Sequence, residues 1–342
     1  MILIDAIYIN SLGGKTILNV FFDELAKEKT LDFKILVDEN LYKSNFFSDR
    51  NFKSKLIIIK KSSFSRLSYY LKSVWQFDTV LCFSSIPPPF PLFNIDVYIY
   101  FHNIFFLKNK FYENNISLLF FIKKLYLRIF TLKSYHFFVQ TELIKNRLLD
   151  YNFINKNNVF VYPIFQVNKI ISTSNTANNY IYLADDSHHK NHEFLITAWI
   201  KFFNSIDTNK ELNLKLTIDF YKSYLKNIFD YNYLTSKNII FLGNVSQNEA
   251  INLLRLSDFL IYVSKSESFG LPLIEAIHNG CGVIAPDIDY VKEIIEPTMY
   301  FSITDNESLV NVLINSQNIK NKFSKIKIRN SVTNIIKLIS NV

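Results

Sequence analysis

The stretch that decides the fold is residues 259–280, which read FLIYVSKSESFGLPLIEAIHNG. It opens on the apolar run Phe259–Val263, and such a run predicts a strand that is buried on both faces. Pro272 suits the start of a helix, and Gly280 suits the position just beyond its end. The stretch therefore predicts a strand, a loop and a short helix in succession.

Two acidic residues stand in this unit: Glu267 falls on the loop, and Glu275 falls one turn into the helix. The first N–H groups of a helix lack partners within the helix, and with the helix dipole they favour an anion. Carboxylates beside such groups, at the carboxyl end of a strand, indicate a sugar-phosphate site. A glycosidase pair is the weaker interpretation, because eight residues along a helix span about 12 Å.

Strand and helix patterns alternate along the whole chain. The apolar runs are rich in β-branched and aromatic residues and mostly lack polar alternation, which is typical of covered parallel strands. Strands are predicted at Ile2–Ile9, Phe33–Val37, Leu56–Ile59, Thr79–Phe83, Val97–Phe101, His136–Val139, Tyr180–Leu183, Leu214–Ile218, Ile239–Leu242, Phe259–Val263 and Val283–Ala285. Helices are predicted at Leu18–Glu28, Leu143–Asp150, His192–Phe203, Glu249–Leu256 and Leu273–Asn279. The pattern predicts an α/β fold with parallel sheets.

Length and composition set the domain organisation. A chain of 342 residues is long enough for two domains, each with its own core. A hydrophobic content of 49% and a charged content of 20% exclude a disordered or collagen-like chain. A boundary is expected just after Pro163, ahead of the polar residues 172–179. We therefore expect domains 1–165 and 166–342, with a cleft between them and the last helix packed back on the first domain.

Cysteine content and hydropathy bear on location. Two cysteines, Cys82 and Cys281, exclude a disulfide framework and favour a reducing compartment. The first residues lack the basic region of a secretory signal, and no stretch of about 18 uncharged apolar residues is present to span a bilayer. A cytoplasmic location is expected.

The acidic pair makes a family resemblance specific. Glu267 and Glu275, with FGLP at 269–272 between them, resemble the E-x7-E signature of the family 4 retaining glycosyltransferases. The segments FLGNVS at 241–246 and GCGVIA at 280–285 are similar to the family's flanking sequences, although Gly282 stands where the family has proline. The resemblance implies the GT-B fold, in which two Rossmann-like, doubly wound domains face a central cleft.

The resemblance also implies roles for residues of the second half. In the family, the second glutamate holds the nucleotide ribose and the first contacts hydroxyls of the donor sugar, roles that fall to Glu275 and Glu267. Further contacts to the nucleotide sugar are expected from Val245, Phe269, Gly270 and Leu271.

A candidate cation follows the first strand of the second half. The loop LADDSHHKNH at 183–192 resembles the family's loop in which a lysine contacts the donor diphosphate, and Lys190 takes that place. A fixed ammonium group stabilises the charge that grows on the departing diphosphate. Many family members carry an arginine a few residues earlier, where this chain has Asp185 or Asp186. A surface lysine at a helix start is the alternative interpretation of Lys190.

The N-terminal half offers two glycines and a histidine. Gly13 and Gly14 follow the first strand and would let the backbone approach a phosphate or a sugar, as the family's own Gly-Gly loop does. A P-loop would need glycine at position 9, which is Ile9, and no Gly-x-Gly-x-x-Gly fingerprint is present. His102 ends a later strand, where a histidine of related enzymes approaches the donor sugar. A structural histidine that caps the strand is the alternative.

Two residue patterns suggest metal ligands without matching a known metal motif. His188, His189 and His192 lack the glutamate that follows the first histidine of a zinc protease motif. Asp287 and Asp289 resemble a DxD metal motif but follow a strand, so a turn is the better interpretation. No metal is required.

Residues 118–133, LLFFIKKLYLRIFTLK, carry four positive charges and no acidic residue. They form either an interfacial helix on anionic lipid or a helix buried between the sheet and a basic surface. The formal net charge is +8, yet no nucleic-acid motif accompanies it, so nucleic acid is not an expected partner.

The resemblance implies a metal-independent hexosyltransferase, peripheral on the inner face of the cell membrane. It would move a hexose from a UDP- or GDP-linked sugar to a lipid-linked or polysaccharide acceptor in bacterial O-antigen, lipopolysaccharide or capsule biosynthesis. No cofactor is expected beyond the nucleotide-sugar substrate. The alternatives are a nucleotide-sugar epimerase of the same fold and a degenerate GT-B domain that binds a glycan or partner. Acceptor-dependent sugar transfer separates the first from both.

Overall fold

A computed structural model of the chain describes residues 1–9, 11–44, 46–47, 52–102, 107, 118–167, 179–206, 212–319 and 323–340, with only the backbone of 118–120 and 123. Residues 172–178 of the polar segment and Asn10 of the glycine loop lie outside this description. The chain forms two compact units, one of Met1–Gln166 with Arg329–Val342 and one of Val167–Ile328. The last helix thus belongs to the first unit.

The first unit is built on a 7-stranded parallel sheet with the strand order β3-β2-β1-β4-β5-β6-β7. The strands are β1 Ile2–Asp5, β2 Phe33–Asp38, β3 Leu56–Ile59, β4 Thr79–Cys82, β5 Asp96–Phe101, β6 His136–Val139 and β7 Val159–Val161. The helices are α1 Leu12–Leu25, α2 Glu39–Lys43, α3 Ser63–Ser73, α4 Leu118–Phe130, α5 Glu142–Leu149 and, from the chain end, α12 Val332–Ser340.

Aromatic side chains fill the core of the first unit. Phe21 of α1 packs on Phe83 with ring centroids 5.2 Å apart, and Phe83 stacks on Tyr100 of β5 at 4.9 Å. Helix α12 joins this unit through the Tyr98 hydroxyl, which donates to the Leu338 carbonyl at 3.3 Å. The phenylalanine-rich composition thus serves a packed sheet–helix interface.

The first predicted strand is too long. Ile2–Ile9 reads as one apolar run, but β1 ends at Asp5. The buried Asp5 carboxylate accepts the Ile7 N–H at 3.2 Å, and Tyr8 adopts a left-handed backbone with φ +71°. The chain therefore turns at Asp5, because a side-chain hydrogen bond replaces the sheet pairing.

The second unit is built on a 6-stranded parallel sheet with the order β10-β9-β8-β11-β12-β14, beside a short antiparallel pair of β13 and β15. The strands are β8 Asn179–Tyr182, β9 Asn213–Leu216, β10 Ile239–Phe241, β11 Phe259–Ile261, β12 Gly282–Pro286, β13 Ile295–Glu296, β14 Met299–Phe301 and β15 Lys325–Ile326. The helices are α6 His192–Ser205, α7 Tyr231–Ser236, α8 Gln247–Arg255, α9 Leu271–His278, α10 Asp289–Ile294 and α11 Asn306–Ser316.

The order of the second sheet fixes where its site lies. Strands β8 and β11 are parallel neighbours, and the chain order reverses between them. In such open sheets, ligands bind outside the carboxyl ends of the strands at this reversal. The loops after β8 and β11, which carry Lys190 and Glu267, therefore meet at the switch point. The α/β fold with doubly wound parallel sheets is confirmed.

Candidate functional site

An ion pair joins the two switch-point loops of the second unit. Lys190 Nζ lies 2.6 Å from Glu267 Oε1, and the Ser264 hydroxyl donates to the same oxygen at 2.6 Å. The Lys190 and Glu267 side chains are 15% and 14% exposed. The structure thus brings together the two charged residues that the sequence assigns to a donor diphosphate and a donor sugar.

Buried tyrosines hold the backbone of both loops. The Tyr182 hydroxyl donates to the Lys190 carbonyl at 2.7 Å, and the Tyr290 hydroxyl donates to the Ser264 carbonyl at 2.7 Å. Burial raises the pKa of both hydroxyls well above 10, and the Glu267 charge raises it further. Both tyrosines are therefore neutral donors over the whole physiological pH range, and the ion pair stands on a fixed backbone.

Helix α9 begins at a residue whose backbone conformation only glycine adopts readily. Gly270, its N-cap, has φ +80°, and a Cβ atom there would lie 3.1 Å from Leu273 Cδ1. Phe269 is buried beside it, and Leu271 opens the helix, followed by Pro272. Since the first N–H groups of a helix lack intrahelical partners, this turn presents donors and a positive dipole end to an anion.

Glu275 is a carboxyl group that burial makes hard to ionise. It lies on α9, one turn beyond the helix start, and burial raises its pKa from 4.5 to about 7. Perturbed carboxyl groups of this kind cluster at functional sites. Glu275 thus differs from Glu267, which has a lysine and a serine hydroxyl at its oxygen.

Asp185, one of the two aspartates in the region where an arginine was expected from the family resemblance, acts within its own loop. Its carboxylate accepts the Ser187 N–H at 2.9 Å. Burial would raise the Asp185 pKa, but this hydrogen bond and the charges of Lys190 and His189 hold it below its ordinary value. The Asp185 side chain therefore holds the loop at 183–192 in place, and Lys190 is the residue of this loop that carries positive charge to the site.

Val245, the remaining predicted contact, lies on the loop that follows β10, half-buried. This loop leaves the same carboxyl edge of the sheet, two strands away from β8. Gly243, in the same loop, has φ +71° and donates its N–H to the Ile218 carbonyl at 3.1 Å. The loop is thus tied to the sheet edge on which the ion pair lies.

The histidines of the second unit face different partners. His188 packs on Tyr224 with ring centroids 4.4 Å apart, while His192 Nε2 lies 2.7 Å from the Asp185 carbonyl oxygen. Asp287 pairs with Lys292 at 2.5 Å, and Asp289 opens α10. Among the described residues, no group of three histidine, cysteine or acidic side chains is placed to hold a metal ion.

The first unit brings two of its three predicted site residues together. Helix α1 is capped by Ser11, whose hydroxyl accepts the Gly14 N–H at 3.1 Å, and Gly13 is exposed on the first turn. A Cβ atom on Gly14 would lie 3.8 Å from His102 Nε2. Burial lowers the pKa of His102 to about 4, so its ring is neutral at physiological pH.

Sequence reasoning missed the residues that support the ion pair. Ser264 is the first polar residue after the β11 apolar run, and that position was the available signal. Tyr182 gave no signal, because a tyrosine in an apolar run is typical of a buried core, and Tyr290 stands among charged residues without a motif. Their hydroxyl contacts depend on the paths of the loops after β8 and β11, which the sequence pattern does not predict.

Comparison with known proteins identifies the second unit. Residues 166–326 match the family model of glycosyl transferases group 1. These residues contain the ion pair, the start of α9 and Glu275. The match covers a little under half of the chain, and nearly all of it lies in the second unit, which is therefore similar to a domain of this glycosyl transferase group.

Two curated relatives are glycosyltransferases by their names. The serotype-specific mannosyltransferase WbdA of Escherichia coli is 43% identical over 68 residues, which are 20% of this chain and 8% of WbdA. The capsular polysaccharide biosynthesis glycosyltransferase CapH of Staphylococcus aureus is 30% identical over 162 residues, which are 46% of this chain and 44% of CapH. The chain thus spans less than half the length of either relative.

Solved structures share the fold over the whole chain. HepE of Anabaena, crystallised in complex with UDP, superposes with a TM-score of 0.65 and 13% identity, and the match covers 100% of this chain and 99% of HepE. With the two parallel sheets described above, this likeness confirms the GT-B fold.

Helix α4 is partly buried and partly exposed. Leu127 is buried, whereas Phe121, Ile122, Leu125 and Ile129 are each between 45% and 61% exposed. Lys124 lies 4.9 Å from the centre of the Tyr151 ring. In the described part of the chain, no helix is long and apolar enough to cross a membrane.

Proposed function

We propose that the chain is a family 4 retaining glycosyltransferase that moves a hexose from a nucleotide-diphosphate sugar to a lipid-linked or polysaccharide acceptor. The observation that carries this proposal is the Lys190–Glu267 ion pair at the switch point, inside the domain that matches the group 1 model. The E-x7-E spacing of Glu267 and Glu275 supports the family 4 assignment.

Lys190 and the first turn of α9 would bind the donor diphosphate. Negative charge grows on the diphosphate as the sugar leaves, and a fixed ammonium group with backbone N–H donors stabilises that charge. The N–H groups of Gly270 and Leu271 would supply the donors, and the preceding residue, Phe269, is buried. Catalysis then rests on positioning and electrostatics, which require neither a metal ion nor a covalent enzyme nucleophile.

The remaining predicted residues would orient the donor. Glu267 would accept hydrogen bonds from the sugar hydroxyls, Glu275 would accept them from the ribose, and Val245 would contact the nucleotide. In the first unit, Gly13 and Gly14 would let the donor approach the backbone, and His102 would contact the transferred sugar.

The donor is proposed to be UDP- or GDP-linked, and the pathway to be bacterial O-antigen, lipopolysaccharide or capsule synthesis. The likeness of the fold to HepE, which was crystallised with UDP, supports a nucleotide donor. The partial identities to WbdA and CapH support a surface-glycan product.

An anionic membrane surface on the cytoplasmic side is the proposed docking partner. The exposed apolar side chains of α4 lie on the same helix as Lys124 and Arg128. Phe64 and Leu71 of α3, and Trp75 just beyond it, are exposed as well. Apolar groups among cations match the boundary between acyl chains and acidic headgroups. Such docking would bring a lipid-linked acceptor to the enzyme.

A transfer assay tests the proposed activity. Radiolabelled UDP- and GDP-hexoses are incubated with the protein, with and without bacterial membrane lipids, and the label in lipid or polysaccharide is counted. Acceptor-dependent transfer with retained anomeric configuration is the expected result. Conversion of the nucleotide sugar without an acceptor would instead indicate an epimerase, and binding without turnover would indicate a degenerate domain.

A further inference from the structure

Ser85 is a buried serine in an uncommon backbone conformation. It follows β4 with φ +63°, a left-handed conformation that residues other than glycine, asparagine and aspartate rarely adopt. Its hydroxyl oxygen accepts the backbone N–H of His102 at 2.9 Å and lies 3.5 Å from Nδ1 of the same histidine. The strained residue therefore touches both the backbone and the ring of His102.

A buried ion pair holds the chain beyond Ser85. Arg66 of α3 donates to the Pro87 carbonyl through Nη1 at 3.0 Å and to Asp5 Oδ2 through Nε at 2.8 Å. The Tyr70 hydroxyl also donates to Asp5 Oδ2, at 2.7 Å. Arg66 and Asp5 are almost completely buried, so this network fixes the segment that carries Ser85.

The Ser85 hydroxyl and the start of α1 favour one of the two neutral tautomers of the His102 ring. The Ser85 hydroxyl oxygen accepts the His102 backbone N–H and has a second lone pair for Nδ1–H. Nε2 instead points towards Gly14, at the positive N-terminal end of α1, where a proton on that nitrogen is disfavoured.

We propose that Ser85 is a positioning residue that holds His102 as its Nδ1–H tautomer, so that Nε2 accepts a hydrogen bond from a hydroxyl group beside Gly14. This inference rests on the proposed function and makes its ligand more specific. A neutral acceptor nitrogen repels phosphate oxygens, which are themselves acceptors, and attracts a sugar hydroxyl. The Gly14 end of the first unit is therefore suited to a sugar hydroxyl and not to a phosphate oxygen.

The matched variants are Ser85→Gly and Ser84→Gly. Glycine adopts the left-handed backbone at position 85 without strain, so this variant removes the hydroxyl without a backbone penalty on folding. Ser84 is the adjacent buried serine, and its hydroxyl makes no hydrogen bond within the part of the chain that the structure describes. Any loss of stability common to both variants is then separated from the effect of the Ser85 hydroxyl.

The test reads the tautomer directly from the ring ¹⁵N shifts of the full chain at pH 7. The chain has six histidines, and the His102 signals are those lost in His102→Gln. The Nδ1–H form is expected in the wild type and in Ser84→Gly, with a shift towards the Nε2–H form in Ser85→Gly. A wild-type ring in the Nε2–H form, or an unchanged Nδ1–H form in Ser85→Gly, would overturn the proposal.

Kinetics add a readout that a structural role would not move. Ser85→Gly is expected to lower kcat/KM for the nucleotide sugar about tenfold, the worth of one hydrogen bond, while binding of the nucleoside diphosphate alone is unchanged. An equal loss of kcat/KM and of nucleoside diphosphate binding would contradict a role of Ser85 in recognition of the sugar. A protein that transfers no sugar would refute the proposed function, and the tautomer measurement would still decide the role of Ser85.

Discussion

Lys190 Nζ and Glu267 Oε1 lie 2.6 Å apart, although the two residues belong to loops that are 77 positions apart in sequence. The cation assigned to the diphosphate is thus engaged by the carboxylate assigned to the sugar. Each charge would be costly to leave alone in a partly buried position, so the ion pair stabilises both side chains. Under the proposed function, Lys190 would exchange this carboxylate for the donor diphosphate.

The first prediction concerns removal of either partner. Lys190→Met and Glu267→Gln should each abolish most turnover and lower the free energy of unfolding by about 1.5–3 kcal/mol, because a charge-assisted hydrogen bond is lost. Urea unfolding of both single variants and of the double variant checks this. The double variant should lose less than the sum of the two, since no unpaired charge remains. Strict additivity would show that the two residues do not interact.

Glu275 should make stability depend on pH. Its pKa of about 7 in the folded state lies above its ordinary value of 4.5, so the folded protein holds a proton that the unfolded chain releases. The contribution of Glu275 to the free energy of unfolding is at its maximum below about pH 4.5. It falls by roughly 3 kcal/mol as the pH rises to 7, and it stays constant above that pH. Urea unfolding from pH 4 to 8 should show this fall in the wild type. Glu275→Gln should lack it, and an equal fall in the variant would assign it to another group.

The same residue should make nucleotide binding pH-dependent. An ionised Glu275 accepts hydrogen bonds from ribose hydroxyls more strongly than a protonated one. Affinity for the nucleoside diphosphate should therefore rise as the pH passes through about 7. Calorimetric titrations at pH 6 and pH 8 measure the change, and Glu275→Gln should bind weakly with no such rise. If the affinity of the wild type for the nucleoside diphosphate did not depend on pH, Glu275 would not bind the ribose.

Gly270→Ala should damage the start of α9. The substitution strains a backbone at φ +80° and brings a Cβ atom to 3.1 Å from Leu273 Cδ1, which displaces the donor N–H groups. Gly243→Ala is the matched control, because φ is +71° there and nothing lies within 4 Å of the Cβ position. Both variants should lose about 1–2 kcal/mol of stability from the backbone. The affinity for the nucleotide should fall much further in Gly270→Ala than in Gly243→Ala. Equal affinities of the two variants would show that the start of α9 does not bind the nucleotide.

Reversal of charge on α4 should weaken membrane binding. Lys124→Glu with Arg128→Glu should reduce sedimentation with phosphatidylglycerol vesicles at least tenfold, since each cation near an anionic surface contributes about 1 kcal/mol. Lys222→Glu with Lys226→Glu changes the net charge equally, in the second unit, and should bind as the wild type does. Equal losses in both variants would point to net charge instead of this helix.

The sequence predicted the elements that obey one simple pattern and missed those that depend on distant partners. The sequence predicts Leu56–Ile59 and His136–Val139 to the residue, because an apolar run with polar neighbours marks a strand, although β3 is an edge strand that is only partly buried. The β13–β15 pair was missed, since two-residue strands carry no pattern. At the site, spacing and family likeness led to Glu267, Glu275 and Lys190. Ser264 is marked only as the first polar residue after its apolar run, and the contacts of Tyr182 and Tyr290 depend on loop paths that no sequence pattern predicts.

The central claim is that the second unit binds a nucleoside diphosphate through Lys190, and one measurement tests it most directly. Thermal unfolding is followed with UDP, GDP, CDP, dTDP and ADP, without metal, in the wild type and in Lys190→Met. At a concentration of 100 times Kd, a ligand stabilises the folded state by about 2.7 kcal/mol, so binding should be plain. We expect one of these diphosphates to raise the Tm of the wild type and to leave that of Lys190→Met almost unchanged. An equal rise in both proteins, or no rise with any diphosphate, would contradict the account.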